Sequence, residues 1–361
     1  VTSAQVIVLA SPVFLLLIAL EAAWGWRTGR NTYALPDAMS SIVLGMLSQV
    51  SGLFVRLLTV GLYVLAYEHL ALWRLSASDW WVWLAALIGY DFLYYWHHRA
   101  GHRVAVFWAA HVVHHQSEAY NLSTALRQTS SGAVLGWVFY LPLAVLGVPP
   151  LVFGIVALID LLYQFWVHTQ HVGKLGWFDR WFCAPSNHRV HHAVNERYLD
   201  RNYGGILILW DRLFGTYAEE RDDEHIVYGT RAPLRSLNPL WANLEVYAAL
   251  WQDSWHTRRW ADKFKVWIKP PGWRPQDVRA ERPRPAFNLH AWQAYEPRPG
   301  RMALVGAAAL FWALLALTAA LLWWQHQMPL WQTALGALLL WVGAWALGAL
   351  CAGAKVDSPQ M

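Results

Sequence analysis

Charge is scarce in this chain: Asp, Glu, Lys and Arg make up 14% of its 361 residues, against 57% hydrophobic ones. So small a share cannot clothe an ordinary soluble domain, and lipid is the solvent for much of the molecule. Cysteine is rarer still, with two residues, Cys183 in a polar stretch and Cys351 at the end of an apolar run. That excludes a disulfide framework and a thiolate metal site. Also missing are the Glu-x-x-His pairs with which soluble helical bundles hold two metals, and any internal repeat. The net charge of +5 does not point to nucleic acid, because the basic residues gather beside apolar segments, as they do in membrane loops.

What the chain has instead is tryptophan, 26 residues of it. Many, such as Trp24, Trp73, Trp80 and Trp324, stand at the ends of apolar runs, where an indole anchors a helix at the membrane interface. A helix needs about 20 apolar residues to cross the hydrocarbon. Val6 to Trp24 is such a run, with Arg27 and Arg30 after it, so it reads as an uncleaved span with its N-terminus outside. Ser41 to Leu70 is long for one span and reads as a bent span or an interfacial helix plus a span. Trp80 to Trp96 leads into His97 and His98. Ala133 to Leu146 and Leu151 to Val167 are joined by Val148, Pro149 and Pro150, a link so short that the two helices are antiparallel. Residues 302–324 and 330–351 form a last hairpin. Alternating these spans leaves only Arg74, of 28 Lys and Arg, clearly in an outside loop, which assigns the histidine side to the cytoplasm. The expected fold is an all-α integral membrane protein, a multi-span helical bundle with a cytoplasmic histidine-rich di-metal cap. Its parts are N-terminal spans at 1–79, a catalytic region at 80–226, a membrane-proximal connector at 227–301, and a C-terminal hairpin and tail at 302–361.

Eleven of the 16 histidines lie between His97 and His192. His98 and His102 are four apart; His111, His114 and His115 form an H-x-x-H-H, and His188, His191 and His192 form another. Residues three and four apart share a helix face, so each group aims two or three imidazoles at one place. His168 ends the fifth run, one turn after Gln164, which adds an amide as a further metal or second-sphere candidate, as does His171. The nine imidazoles of His98, His102, His111, His114, His115, His168, His188, His191 and His192 are too many for one metal and suit two. Imidazole alone serves zinc, copper, iron and nickel alike, but an all-histidine pair with room for dioxygen favours redox iron over structural zinc. Acids are expected to orient the rings, with Asp91, Glu118, Asp160, Asp179 and Asp211 as candidates. His69, His225, His256, His290 and His326 read as ordinary surface residues.

Four stretches carry a resemblance. They are Asp91-Phe-Leu-Tyr-Tyr-Trp-His-His98; His111-Val-Val-His-His115-Gln-Ser-Glu-Ala-Tyr-Asn-Leu-Ser-Thr-Ala-Leu-Arg127; Tyr163-Gln-Phe-Trp-Val-His168; and Pro185-Ser-Asn-His-Arg-Val-His-His192, followed by Asn202-Tyr-Gly-Gly and Trp210-Asp-Arg-Leu-Phe-Gly-Thr216. Over about Trp80 to Glu220 the chain resembles the fatty acid hydroxylase and sterol desaturase superfamily, in its alkylglycerol monooxygenase-like branch. The resemblance implies two non-haem iron ions on the nine histidines, dioxygen as co-substrate, and tetrahydrobiopterin or a redox protein as electron donor. It also implies hydroxylation of a bilayer lipid next to an ether oxygen, with release of an aldehyde. Glu118, Asn121 and Arg127 then become candidates for substrate or cofactor contact. The alternatives are a hydroxylase or desaturase of fatty-acyl, ornithine-lipid or sterol-like substrates, and, in a different class, a non-enzymatic metal-binding membrane protein.

Overall fold

The computed structural model describes residues 2–352, so the expected C-terminal tail lies outside the described residues. Among the described residues there is no strand, only two isolated bridges, Phe182 to Leu207 and Ala193 to Tyr228. Seven helices set the frame: α1 (Ser3–Thr28), α2 (Leu35–Leu70), α3 (Trp80–Arg103), α4 (Pro150–Trp166), α5 (Pro239–His256), α6 (Arg301–Trp324) and α7 (Leu330–Ala352). Four segments are long and apolar enough to cross a membrane, namely α1, Leu35–Val55 of α2, α6 and α7.

Of the two readings of the second run, the structure gives a single helix rather than an interfacial helix plus a separate span. It is one unbroken helix of 36 residues, about 54 Å long at the usual rise. The expected pair before and after Pro149 keeps its bounds to within a residue, at Gly132–Val145 and Pro150–Trp166, but both stretches are shorter than a full crossing. α4 has 17 residues, and the segment before it is broken into Gly132–Gly136, a 3-10 turn at Trp137–Tyr140 and Leu141–Val145. Pro142 has no amide hydrogen to continue the preceding turns. Gly136 also lies so close to the His97 ring that a Cβ there would sit 2.6 Å from it. This hairpin nevertheless reaches the far end of its neighbours. Leu72 N donates to Val145 O at 2.8 Å and Leu75 N to Gly147 O at 3.2 Å, and Tyr63 Oη donates to Val148 O at 3.0 Å. The turn after α2 and the hairpin tip are therefore level, at the end opposite the histidines.

The lipid-facing bundle closes through small residues, as expected where hydrocarbon surrounds every helix. A Cβ on Gly336 would meet Leu321 at 2.5 Å, and one on Gly343 would meet Leu314 at 2.5 Å, so α6 and α7 pack closely. Fully buried Val43 and Leu47 of α2 join Leu340 and Leu347 of α7 in one core. At the histidine end, the residues between 227 and 300 fold back as α5 and the helix Trp260–Ile268, with Trp251, Trp255, Trp260 and Phe264 exposed. Ala105 N donates to Lys269 O at 3.0 Å, tying this segment to the end of α3.

Gly147 gives a test of the hairpin tip. Its φ is +86°, and a Cβ would lie 1.9 Å from Trp73 O. Gly147→Ala is expected to cost about 1–3 kcal/mol, lowering the thermal midpoint followed by fluorescence-detected size exclusion. Gly154, which has nothing within 4 Å of its Cβ position, should accept alanine with no loss.

Candidate metal centre

Three helix ends and one helix exit deliver the histidines. α3 carries His98 and His102 in its last two turns, and Val112–His115 is a single turn holding His114 and His115 directly after His111. His168 follows the C-terminus of α4. Pro185–His191 starts with a proline at its first position, where no amide hydrogen is required, and Ala184 N donates to Asn187 Oδ1 at 3.0 Å to cap it. All nine expected histidines come together, in two groups: His98, His102, His111, His115 and His191, and beside them His114, His168, His188 and His192, with donor atoms within 4.8 Å of one another in each group. His171 belongs to neither.

The division follows helix geometry. At about 100° per residue, position i+4 lies about 40° to one side of i and i+3 about 60° to the other, on the same broad face. Accordingly His98 with His102, His111 with His115, and His188 with His192 each share a group, while His114 and His191 cross to the other. The groups adjoin, the rings of His115 and His192 stacking at 4.3 Å between centroids.

The ring nitrogens show what this arrangement fits. His98 Nδ1 lies 2.9 Å from Tyr203 O, His114 Nδ1 2.9 Å from Arg127 O, His168 Nδ1 2.7 Å from Gln164 O and His191 Nδ1 3.0 Å from Arg201 O. A carbonyl only accepts, so each Nδ1 carries the hydrogen and each neutral ring presents a bare lone pair at Nε2. Two of those lone pairs then face one another, His114 and His168 Nε2 lying 3.1 Å apart, and His188 Nε2 stands 3.0 Å from the same His168 nitrogen. His102 Nε2 and His188 Nδ1 are buried with no partner at all. Only a cation between the rings relieves such contacts. A proton is a poor one here, since burial pushes His114 down to about 4 and holds His188 and His192 well below the usual range. A donor set of neutral imidazoles with fixed tautomers fits divalent metal ions.

The expected acids sit one step further out, and main-chain carbonyls take the place they were expected to fill. Asp91 accepts from Ile206 N at 2.6 Å and Trp210 Nε1 at 2.8 Å. Asp211 accepts from Tyr203 N at 2.8 Å, Gly204 N at 2.7 Å and Thr216 Oγ1 at 2.6 Å. Both clamp the loop whose Tyr203 carbonyl orients His98. Asp160 accepts from Gln164 Nε2 at 2.6 Å, and Gln164 Oε1 accepts from Tyr94 Oη at 2.7 Å, so the amide of Gln164 is engaged there while its main chain orients His168. Asp179 accepts from Leu175 N at 2.6 Å, away from the imidazoles.

The acid beside a histidine is one that sequence reasoning missed, Asp200, 3.6 Å from His102 Nδ1. Burial pushes its carboxyl up, but His102 and Arg103 outweigh that and hold it below the usual range. Its φ of 58° places it in a tight loop just before Asn202-Tyr-Gly-Gly. Glu21, inside the first apolar run, was also missed. It accepts from Leu122 N at 2.8 Å and from the hydroxyls of Tyr33 and Thr169, knotting α1 to the site.

Two cavities reach the imidazoles. An apolar one of about 330 Å³ runs between α1, α2 and α6 and ends at His114, Gln164 and His168. A second, of about 250 Å³, is lined by Tyr94, His97, His98, His111, Gln128 and Asp160, among others.

Residues 83–216 match the family model for fatty acid hydroxylase. Alkylglycerol monooxygenase of Homo sapiens is 41% identical over 271 residues, 75% of this chain and 60% of that protein. The Danio rerio protein of the same name is 40% identical over 271 residues, and that of Xenopus tropicalis 36% over 270, with the same shares of each chain. The chain thus spans about 60% of the length of these curated relatives. No solved structure matches it.

Glu118, Asn121 and Arg127 make protein contacts. Glu118 accepts from Tyr295 N at 2.5 Å, and Asn121 caps Leu122–Ala125, its Oδ1 accepting from Ser123 N at 3.0 Å. Arg127 is 1% exposed; its Nε donates to Val113 O at 2.7 Å and its guanidinium lies 3.8 Å from Asp37. A buried pair is costly to break from one side. Arg127→Met should therefore lose about 3–5 kcal/mol in thermal unfolding, and Arg127→Met with Asp37→Leu should recover most of it.

Proposed function

We propose that this chain, which carries a fatty acid hydroxylase domain at residues 83–216, is a membrane di-iron monooxygenase acting on a lipid C–H bond, the carbon next to the ether oxygen of an alkylglycerol. One atom of dioxygen enters that bond as a hydroxyl and the other leaves as water, with two electrons from a reductant, tetrahydrobiopterin or a redox protein. The resulting hemiacetal falls apart to an aldehyde and glycerol. The iron ions, when bound, supply the activation of dioxygen that makes an unreactive C–H bond breakable.

The observation that carries this reading is the apolar cavity that leads from between the spans to His114 and His168. A lipid chain can enter it without leaving hydrocarbon, so burial of the chain positions the carbon to be oxidised. His98, His102, His111, His115 and His191 would hold one ion and His114, His168, His188 and His192 the other. Main-chain carbonyls fix the tautomers of His98, His114, His168 and His191 with Nε2 inward, and the apolar walls keep water from the reacting carbon. The distribution of Lys and Arg supports a cytoplasmic site, and residues 80–226 would form the catalytic unit between the N-terminal spans and the connector. A second reading, hydroxylation or desaturation of an acyl, ornithine-lipid or sterol-like substrate, is favoured by the cavity's plain hydrocarbon walls, which place no ether-specific group along its length.

Iron-loaded protein in lipid, given an alkylglycerol, dioxygen and tetrahydrobiopterin, is expected to release aldehyde and to hold about two irons per chain. His114→Ala should lower the rate more than about a hundredfold, beyond the usual effect of losing a metal's outer partner. Two bound irons with no aldehyde would reject the ether substrate and leave the acyl reading standing.

A further inference from the structure

We propose that the substrate lies across both cavities, its hydrocarbon chain in the apolar one and an uncharged, hydroxyl-bearing headgroup in the polar one, with the oxidised carbon at their common wall. The inference rests on the ether-lipid reading for the identity of the headgroup. Four residues line both cavities: His114, Gln128, Leu161 and Gln164. The apolar cavity touches His168 of one histidine group, and the polar cavity touches His98 and His111 of the other. A molecule occupying both therefore passes the two groups where they adjoin.

The walls sort the two ends of such a molecule. In the apolar cavity the hydroxyls of Ser11 and Thr318 are spent on their own helices, donating to Ile7 O and Leu314 O at 2.8 Å each. Apart from Gln49 and the shared Gln128 and Gln164, that wall offers little to a polar group beyond its histidines and suits hydrocarbon. The second cavity has a wall still more apolar than polar, yet it carries a larger polar share than the first. Gln128 Nε2 donates to Ala125 O at 3.1 Å, while its Oε1 takes no hydrogen bond from the described residues. Asp160 also borders this cavity, but one of its oxygens is held by Gln164 and the other is buried toward Gly205. The open oxygen of Gln128 is the acceptor that a diol hydroxyl can meet. No Lys or Arg lines this cavity, so in the metal-free protein a phosphate there would be buried with no cation and beside a carboxyl group. The geometry thus selects a neutral glycerol headgroup over a phosphorylated one.

Binding can be measured without turnover, by equilibrium dialysis against metal-free full-length protein in lipid nanodiscs. The probes are 1-O-hexadecylglycerol, hexadecyl methyl ether, which lacks the hydroxyls, and 1-O-hexadecylglycerol 3-phosphate. Hexadecylglycerol is expected to bind about tenfold more tightly than either. Gln128→Leu should reduce its advantage over the methyl ether several-fold and leave the methyl ether itself unchanged. Ala319→Phe, which fills the apolar cavity, should keep the headgroup preference while favouring shorter chains, with roughly a fourfold loss per methylene no longer accommodated. Equal loss of both probes in Gln128→Leu, an unaltered chain-length profile in Ala319→Phe, or phosphate binding as tight as glycerol would overturn the proposal. Aldehyde release by the iron-loaded protein reports separately on the reaction: the binding pattern without aldehyde rejects ether cleavage alone, and aldehyde without the pattern rejects the two-cavity placement alone.

Discussion

Lone pairs that face one another are the constraint around which this molecule is built. His114 and His168 cannot both be neutral, both give their Nδ1 hydrogen to a carbonyl, and still hold their Nε2 atoms 3.1 Å apart at rest unless a cation lies between them. Because a carbonyl admits only one tautomer, the backbone determines which nitrogen each ring presents. Keeping those carbonyls in place then becomes the task of everything nearby. Asp211 and Asp91 grip the loop 203–210 from two sides, Arg127 braces Val113 while its own carbonyl orients His114, and the last turn of α4 supplies the carbonyl for His168.

This arrangement explains what could be read from the sequence and what could not. The i, i+4 spacing of His98 and His102 and the two H-x-x-H-H runs announced a shared destination, because helix periodicity is written in the order of residues. Carboxylates were a natural guess for the partners of the outer nitrogens, since an acid is visible in a sequence and a carbonyl is not: every residue has one. Asp91 and Asp211 do serve the site, but by holding a loop. Asp200 and Glu21 escaped notice for another reason. Each matters through contacts distant in sequence, with His102 in one case and with Leu122 and Thr169 in the other, and no local pattern records those.

The membrane frame was legible in outline and less so in its breaks. Hydropathy found the runs, because transfer into lipid depends on composition. It could not see that the segment before Pro149 would be interrupted to admit the His97 ring against Gly136, or that α2 would continue unbroken for 36 residues. In both places packing decides, and packing in lipid turns on single small residues. Gly147, with a carbonyl where its side chain would be, is the same rule at the hairpin tip.

A site at the end of spans meets two opposed demands. The metal ligands need a polar, hydrogen-bonded backbone around them, which the bilayer interior does not tolerate, while a lipid chain needs an apolar path, which an aqueous loop cannot give. The protein separates the two at one wall. On one side α1, α2 and α6 offer hydrocarbon; on the other, the open oxygen of Gln128 offers a hydrogen-bond acceptor beside Tyr94 and Asp160. Glu21 is the link that keeps the boundary in register, because it stands within a span and yet binds the segment leading from His115 and the residue following His168. A shift of α1 along its axis would have to break that carboxylate's three bonds, so the apolar path and the imidazole cluster hold their relative height together.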